Sequence, residues 1–396
     1  MTKHYKRLAY NIIKERLSEP RRFIQVVMGP RQIGKSTTVL QVLKDINIPY
    51  LYFSADSVPA SDSNWIKTCW ASARLRLSTE KQKEIILAID EVQKVKNWSE
   101  YVKQEWDSDT YSDVNIKVIL LGSSRVMISR GLSESLFGRY EEIRMGHWSY
   151  EEMHQAFGFT LPQFAYFGGY PGAATLIKDE KRWNNYIHAA VIDATINKDI
   201  LVDSPVGKPA LLRQTFELSS AYSGRLLSLT KMLGLLQDAG NTVTLSGYLN
   251  LLGDSGLVSA LEKYSADIAR RRASIPKYQV HNNALLGVFC DADFKQATTD
   301  SRLWGHLLES AIGTHIINES FIHRFEVFYW RENNLEVDFV LKNKSKIIAI
   351  EVKSNNEGYT KGLAEFSNRF HPDIAFIVGR EGIDPETFLK MDLSLL

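Results

Sequence analysis

At 396 residues the chain is too long for one typical core, and two or three domains are expected. Its residues are 44% hydrophobic and 24% charged, as in a globular protein, and a net charge of only +2 provides no global basic field. Any contact with nucleic acid must therefore come from local patches, while two isolated cysteines, Cys69 and Cys290, argue against a zinc motif or a disulfide framework and fit a reducing cytoplasm.

The first residues, "MTKHYKRLAYNIIKERL", mix charged and apolar positions without a pure apolar stretch, so they do not read as a signal peptide. No run approaches the roughly 20 apolar residues of a membrane span. A cytoplasmic protein is expected.

Residues 24–38 read "IQVVMGPRQIGKSTT": an apolar run that looks like a buried strand, a turn, and the start of a helical pattern. Between them, Gly29-x-x-x-x-Gly34-Lys35-Ser36 has the phosphate-loop spacing in the strand–loop–helix setting that gives it meaning. The two glycines permit a tight loop whose N–H groups converge on phosphate oxygens at a helix N-terminus. Lys35 would reach the β- and γ-phosphates, and the Ser36 hydroxyl would be a magnesium ligand. ATP is thus expected against Gly29, Pro30, Arg31, Gln32, Ile33, Gly34, Lys35, Ser36 and Thr37.

A second apolar strand, "IILAI" (85–89), runs into Asp90-Glu91. Acids at the end of a buried strand point into the crevice where open α/β sheets bind ligands. Asp90 would hold magnesium, and Glu91 would orient or deprotonate the attacking water. A third strand, "IKVILLGSS" (116–124), ends in Ser123-Ser124, small polar groups suited to touching a γ-phosphate or water, although they could equally be ordinary loop residues. With "YLYFS" (50–54) and "EEIRM" (141–145) this makes five strands separated by helices, a three-layer α/β sandwich with a mostly parallel sheet.

Residues 20–155 resemble an AAA-type P-loop ATPase of the branch with an added catalytic glutamate. The run "GPRQIGKST…LAIDEVQ…LLGSS…FGRYEEI" is similar to a widespread prokaryotic ATPase family with a C-terminal domain of unknown function. The resemblance implies that Arg139, just before the last core strand, acts as an arginine finger, in its own subunit or a neighbour's, which would make the protein a homo-oligomer. The alternative is a surface arginine paired with Glu141 or Glu142.

Residues 146–225 carry helical patterns broken by "FGGYPGAA" (167–174), with no catalytic constellation, and read as a lid and interdomain packing. From 226 a helix (about 226–236), a turn at Asp238–Asn241, a second helix (about 243–252) and two strands follow in the order of a winged helix-turn-helix. Bound to DNA, this fold would put the second helix in the major groove and Arg270, Arg271 and Arg272 near phosphates. That helix, "VTLSGYLNLL", holds no Lys or Arg, so protein–protein or interdomain packing stands beside DNA contact.

The helical pattern "SRLWGHLLESAIGTHIIN" (301–318) is apolar on one face except at Glu309, whose stripe includes Gly305 and Gly313, so something can approach closely there. A carboxylate in such surroundings needs a cation or a partner. Then come strands at 325–330, 335–341 and 347–353, a helix at about 360–369 and a strand at 374–378. Helix, three strands, helix, strand is the core order of the PD-(D/E)xK nuclease superfamily, which the region resembles. Glu351 and Lys353 share a strand face, and Asp338 joins them if it lies opposite Glu351, leaving a four-residue loop, Asn343–Lys346. Magnesium would then sit among Glu309, Asp338 and Glu351, with Lys353 as the catalytic cation. Alternatively, the acids form salt bridges in a nuclease-like binding module.

The expected organisation is an ATPase domain (1–155), a helical linker (156–225), a winged-helix-like region (226–283) and a nuclease-like domain (284–396). The expected function is that of a DNA-associated ATPase with a metal-dependent nuclease domain. The alternative is an ATP-driven regulatory switch with a non-catalytic C-terminal module.

Overall fold

The computed structural model describes residues 5–62, 64–122, 132, 135–236, 240–267, 271, 274–353 and 361–395. They fall into two compact units, Met1–Met145 and Gly146–Leu396.

The first unit is built on five parallel strands: β1 (Ile24–Met28), β2 (Tyr50–Ser54), β3 (Ile85–Asp90), β4 (Ile116–Gly122) and β5 (Tyr140–Arg144). Their order across the sheet is β2-β3-β4-β1-β5. Every residue of β1, β3 and β4 is buried, whereas β2 and β5 are mostly half-buried. Continuous apolar runs become central strands because helices cover both faces of a parallel sheet, and the mixed sequences become its edges. Helix α1 (Ala9–Ser18) buries Tyr10, Ile13 and Leu17, three or four residues apart on one face. Helices α2 (Lys35–Asp45), α3 (Asn64–Thr79) and α4 (Trp98–Tyr111) follow β1, β2 and β3. On α3, Trp70 and Arg74 reach the buried Asp109 of α4, with Trp70 Nε1 donating at 3.0 Å and Arg74 Nε at 2.7 Å. This satisfies a carboxylate that burial would otherwise penalise.

In the second unit, short helices occupy Tyr150–Phe157 and Leu161–Phe167, and a 3-10 turn at Pro171–Leu176 follows the expected glycine-rich break. The next expected helix pair is found at Leu229–Leu235 and Thr242–Asp254, the latter capped by Asn241, whose Oδ1 accepts the Thr244 N–H at 2.9 Å. Residues 238 and 239 of the expected Asp238–Asn241 turn lie outside the described residues. Two antiparallel strands follow, β6 (Val258–Leu261) and β7 (Lys277–Val280).

The long helix is longer than its apolar pattern, running from Ser301 to His323. Asp300 starts it by accepting the N–H groups of Arg302 and Leu303, both at 2.9 Å. At Gly313 a methyl group would lie 2.1 Å from Gln279 Oε1 and 2.6 Å from Phe339 Cζ, so β7 and the last sheet make the close approach that the glycine stripe implied. That sheet, ordered β11-β10-β9-β8, consists of β8 (Glu326–Glu332), β9 (Leu335–Asn343), β10 (Lys346–Lys353) and β11 (Ile374–Gly379). The helix Lys361–Phe370 buries Leu363 and Phe366 among Tyr264, Trp330, Val337 and Val340. Asn343 pairs with Lys346, so the hairpin closes on Lys344-Ser345, tighter than the expected four-residue loop. Lys344 takes the left-handed conformation, with φ +55°, that such turns require. Among the described residues, no helix is long and apolar enough to cross a membrane.

Candidate functional site

The end of β1 leads directly into the Gly29–Ser36 loop. A side chain at Gly29 would place Cβ 2.1 Å from the Met145 carbonyl oxygen, and Gly34, at φ +84°, occupies a backbone region costly for other residues. Lys35 is buried and donates to the carbonyls of Gly29 at 2.9 Å and Pro30 at 2.7 Å. Its ammonium is thus held within the loop, over carbonyls it would exchange for phosphate oxygens.

Strand β4 lies between β1 and β3, yet the loop and the end of β3 still meet. Ser36 Oγ donates to Asp90 Oδ2 at 2.6 Å. Tyr52, on β2, donates its hydroxyl to the same Asp90 oxygen at 2.5 Å, and burial followed by that bond raises the phenol's pKa above its ordinary value. Tyr52 was not anticipated. It sits within "YLYFS", where one aromatic residue looks like another, and only the pairing of Ser54 with Asp90 places it beside the acid. A hydroxyl and a carboxylate converging at this distance are the hard oxygen donors that magnesium favours.

The next residue, Glu91, has a left-handed backbone (φ +53°, ψ +34°), uncommon for a residue with a side chain. Its N–H is held by Asp90 Oδ1 at 2.9 Å, and its carboxylate receives the Gln93 side-chain amide at 2.7 Å. Strain of this kind gathers at functional positions. Gln93, buried in the short 3-10 turn Val92–Lys94, was also missed. Arg139 pairs with neither Glu141 nor Glu142. Its guanidinium grips Asp107 of α4 through two bonds, of 2.7 and 3.0 Å, while Glu141 lies near Arg16 and Glu142 binds Arg144. Ser123 and Ser124 lie outside the described residues.

In the second unit, the pairs run through Ala349↔Val340 to Ile350↔Phe339, which leaves Glu351 and Asp338 as the next residue along each strand. Both acids are buried. The expected metal set, however, already holds a cation. Lys277, from β7, brings Nζ to 2.7 Å from Glu309 Oε1 and 3.2 Å from Asp338 Oδ1. The other Asp338 oxygen accepts the Val352 N–H at 2.9 Å, and Glu351 Oε1 lies 3.0 Å from Lys353 Nζ. Burial alone would lower the pKa of Lys277, but the pull of Glu309 and Asp338 outweighs it, so the amine stays an ammonium, 3% exposed. Burial pushes Glu309 upward against the same ion pair. Glu309, Asp338 and Glu351 therefore do not fit a divalent-metal site as they stand. Sequence reasoning missed Lys277 because it is a single lysine in a short strand, 61 residues from Asp338. Of the three wing arginines, Arg270 and Arg272 lie outside the described residues. Arg271 packs over Phe328, its guanidinium 5.2 Å from the ring centroid, and lies 3.3 Å from Glu262.

A different cluster, Glu319, His323 and Asp392, gathers ligand-type atoms within 4.8 Å, the one such group found among the described residues. Beside it, His315 Nε2 faces the Met391 carbonyl at 3.1 Å, and Glu319 accepts the Leu393 N–H at 3.1 Å. Burial lowers His315 to about 4 and raises Glu319 to about 7. Asp392 pulls His315 upward and, with Glu152, adds to the rise at Glu319. The ordinary values are about 6.5 and 4.3. Between pH 6.5 and 4 the unfolded chain binds more protons at residue 315, so His315 costs stability as pH falls. Between about pH 4.3 and 7 the folded chain holds more at residue 319, so Glu319 costs stability as pH rises. The two oppose each other, each worth about 3 kcal/mol. Removing one should expose the other: Glu319→Gln should unfold at lower temperature at pH 5 than at pH 7.5, and His315→Gln the reverse. Identical pH profiles of melting temperature in both variants would refute this opposition.

Comparison with known proteins agrees with the first site. Residues 159–296 and 304–386 match two models described only as domains of unknown function. The chain is 21% identical to an uncharacterized protein of Methanocaldococcus jannaschii over 82% of this chain and 73% of that one. It is 22% identical to an uncharacterized protein of Haemophilus influenzae over 83% and 82%. The Aeropyrum pernix Orc1 protein in complex with DNA overlaps 72% of this chain and 92% of its own at 11% identity, with a TM-score of 0.32, too low to support a conclusion. Residues 21–154 match a model described as an AAA domain, in keeping with their parallel sheet and the Gly29–Ser36 loop between β1 and α2.

Proposed function

We propose that the protein binds and hydrolyses ATP at the Gly29–Ser36 loop and couples this to a nucleic-acid- or protein-gripping second unit. The observation that carries the first half is the meeting of Lys35, Ser36, Asp90 and Glu91 at the ends of β1 and β3. ATP would release Lys35 from the Gly29 and Pro30 carbonyls and take its charge on the β- and γ-phosphates. Ser36 and Asp90 would hold magnesium, which supplies charge neutralisation for the phosphates. Glu91, freed from Gln93, would orient water and accept its proton. Arg139 would serve as a finger on the γ-phosphate only after leaving Asp107, in its own chain or a neighbour's.

For the second unit, the helix pair with β6 and β7 supports a winged-helix reading. Asp338 and Glu351, next along the β9–β10 register, together with the Ser301–His323 helix support a nuclease-like fold. Because Lys277 is ion-paired with Glu309 and Asp338, this unit is read as a binding module that responds to the nucleotide state. The test is ATP binding and phosphate release by Lys35→Ala. Both should be lost, and turnover at the wild-type rate would sink the assignment.

A further inference from the structure

Metal-dependent cleavage needs carboxylate oxygens free to converge on a divalent ion. In this fold four of the six carboxylate oxygens of Glu309, Asp338 and Glu351 face other groups. Glu309 Oε1 and Asp338 Oδ1 face the Lys277 ammonium, Asp338 Oδ2 holds the Val352 N–H, and Glu351 Oε1 faces Lys353. Three carboxylates thus share two ammonium groups. The lysine is not a surface side chain that happens to reach in. It belongs to a strand whose four residues are all buried, its Nζ also bonds the Asp338 carbonyl oxygen at 3.3 Å, and it lies 4.8 Å from the centroid of the Phe339 ring. It enters from β7, outside the four-stranded sheet, so the occupant comes from a different part of the chain from the acids it joins.

We infer that Lys277 is a built-in cation standing where the two acids would otherwise hold a divalent metal, so that the nuclease-like unit is closed to metal-dependent cutting. This rests on the nuclease-like reading of the second unit and is independent of the ATPase assignment. An ammonium offers the acids charge and hydrogen bonds, but no empty coordination positions for water or a phosphodiester. A divalent ion entering beside it would have to displace a buried charge hydrogen-bonded to Asp338 and ion-paired with Glu309.

The probe is manganese, titrated by electron paramagnetic resonance into nucleotide-free full-length protein. Wild type and the Glu309→Gln/Asp338→Asn double variant should bind the same number of ions. One ion bound by wild type and lost in the double variant overturns the inference. Lys277→Met should then gain one ion, which Lys277→Met/Asp338→Asn lacks. A folded Lys277→Met protein that gains none also overturns it. If Lys277→Met does not fold, the first comparison decides alone. Because ATP hydrolysis is not the readout, failure here and failure of the ATPase assignment remain separate results.

Discussion

Glu91→Gln is expected to hydrolyse ATP about 10²–10⁴-fold more slowly than wild type while binding the nucleotide with similar affinity. Glutamine keeps the size of the side chain and its ability to accept the Gln93 amide, and it loses the capacity to take a proton from water. The Glu91 backbone is set by its bond to Asp90 Oδ1 rather than by its own side chain, so the left-handed turn should persist. Stopped-flow binding of a fluorescent nucleotide and phosphate release under single turnover separate the two effects. Equal turnover in wild type and variant would remove Glu91 from its role. Equal losses of binding and turnover would show that the substitution had disturbed the loop instead.

The second large effect concerns stability. Lys277→Met should destabilise the second unit by about 3–5 kcal/mol, because Glu309 and Asp338 would remain buried without their cation. Most of that cost belongs to the orphaned acids rather than to lost attraction, since taking charges out of water is expensive. Adding Glu309→Gln and Asp338→Asn to Lys277→Met should therefore recover most of the loss. Denaturation in urea, followed by tryptophan fluorescence, measures both steps, with Trp330 buried in the last sheet as one reporter. A cost below about 1 kcal/mol for Lys277→Met would mean that water already reaches the cluster.

These two sites differ in how far the sequence reveals them. The loop is local: Gly29 to Ser36 is one unbroken segment whose spacing has a single physical use, and the buried strands β1, β3 and β4 announce themselves as apolar runs. Alternation also shows that Glu351 and Lys353 share a face, but whether Asp338 joins them depends on a register that alternation alone leaves open. Identifying Tyr52 required the order of strands across the sheet. Identifying Lys277 required knowing that a strand from the helix-rich region packs on the Ser301–His323 helix, a contact that no periodicity encodes. The acids were legible, and the cation that answers them was not. The surface pairing considered for Arg139 was misplaced for a related reason. Its partner, Asp107, lies on α4, whereas a reading by proximity in sequence looked to Glu141 and Glu142.

The position of β1 between β4 and β5 has a consequence for biosynthesis. Ile24 pairs with Tyr140, and Gln25 pairs with Ile119 and Glu141, so the first of these five strands has no neighbour until about 90 further residues have been made. At about 5–20 residues per second this is a wait of roughly 5–20 s, during which "IQVVM" is an unpaired, uncharged β-forming segment. The β2–β3 pair can form earlier, once Ile89 and Asp90 have emerged. The nucleotide loop, anchored at the end of β1 and closed by the Met145 carbonyl, is therefore assembled last although it is translated early. A nascent chain arrested before residue 140 should have no ATP site.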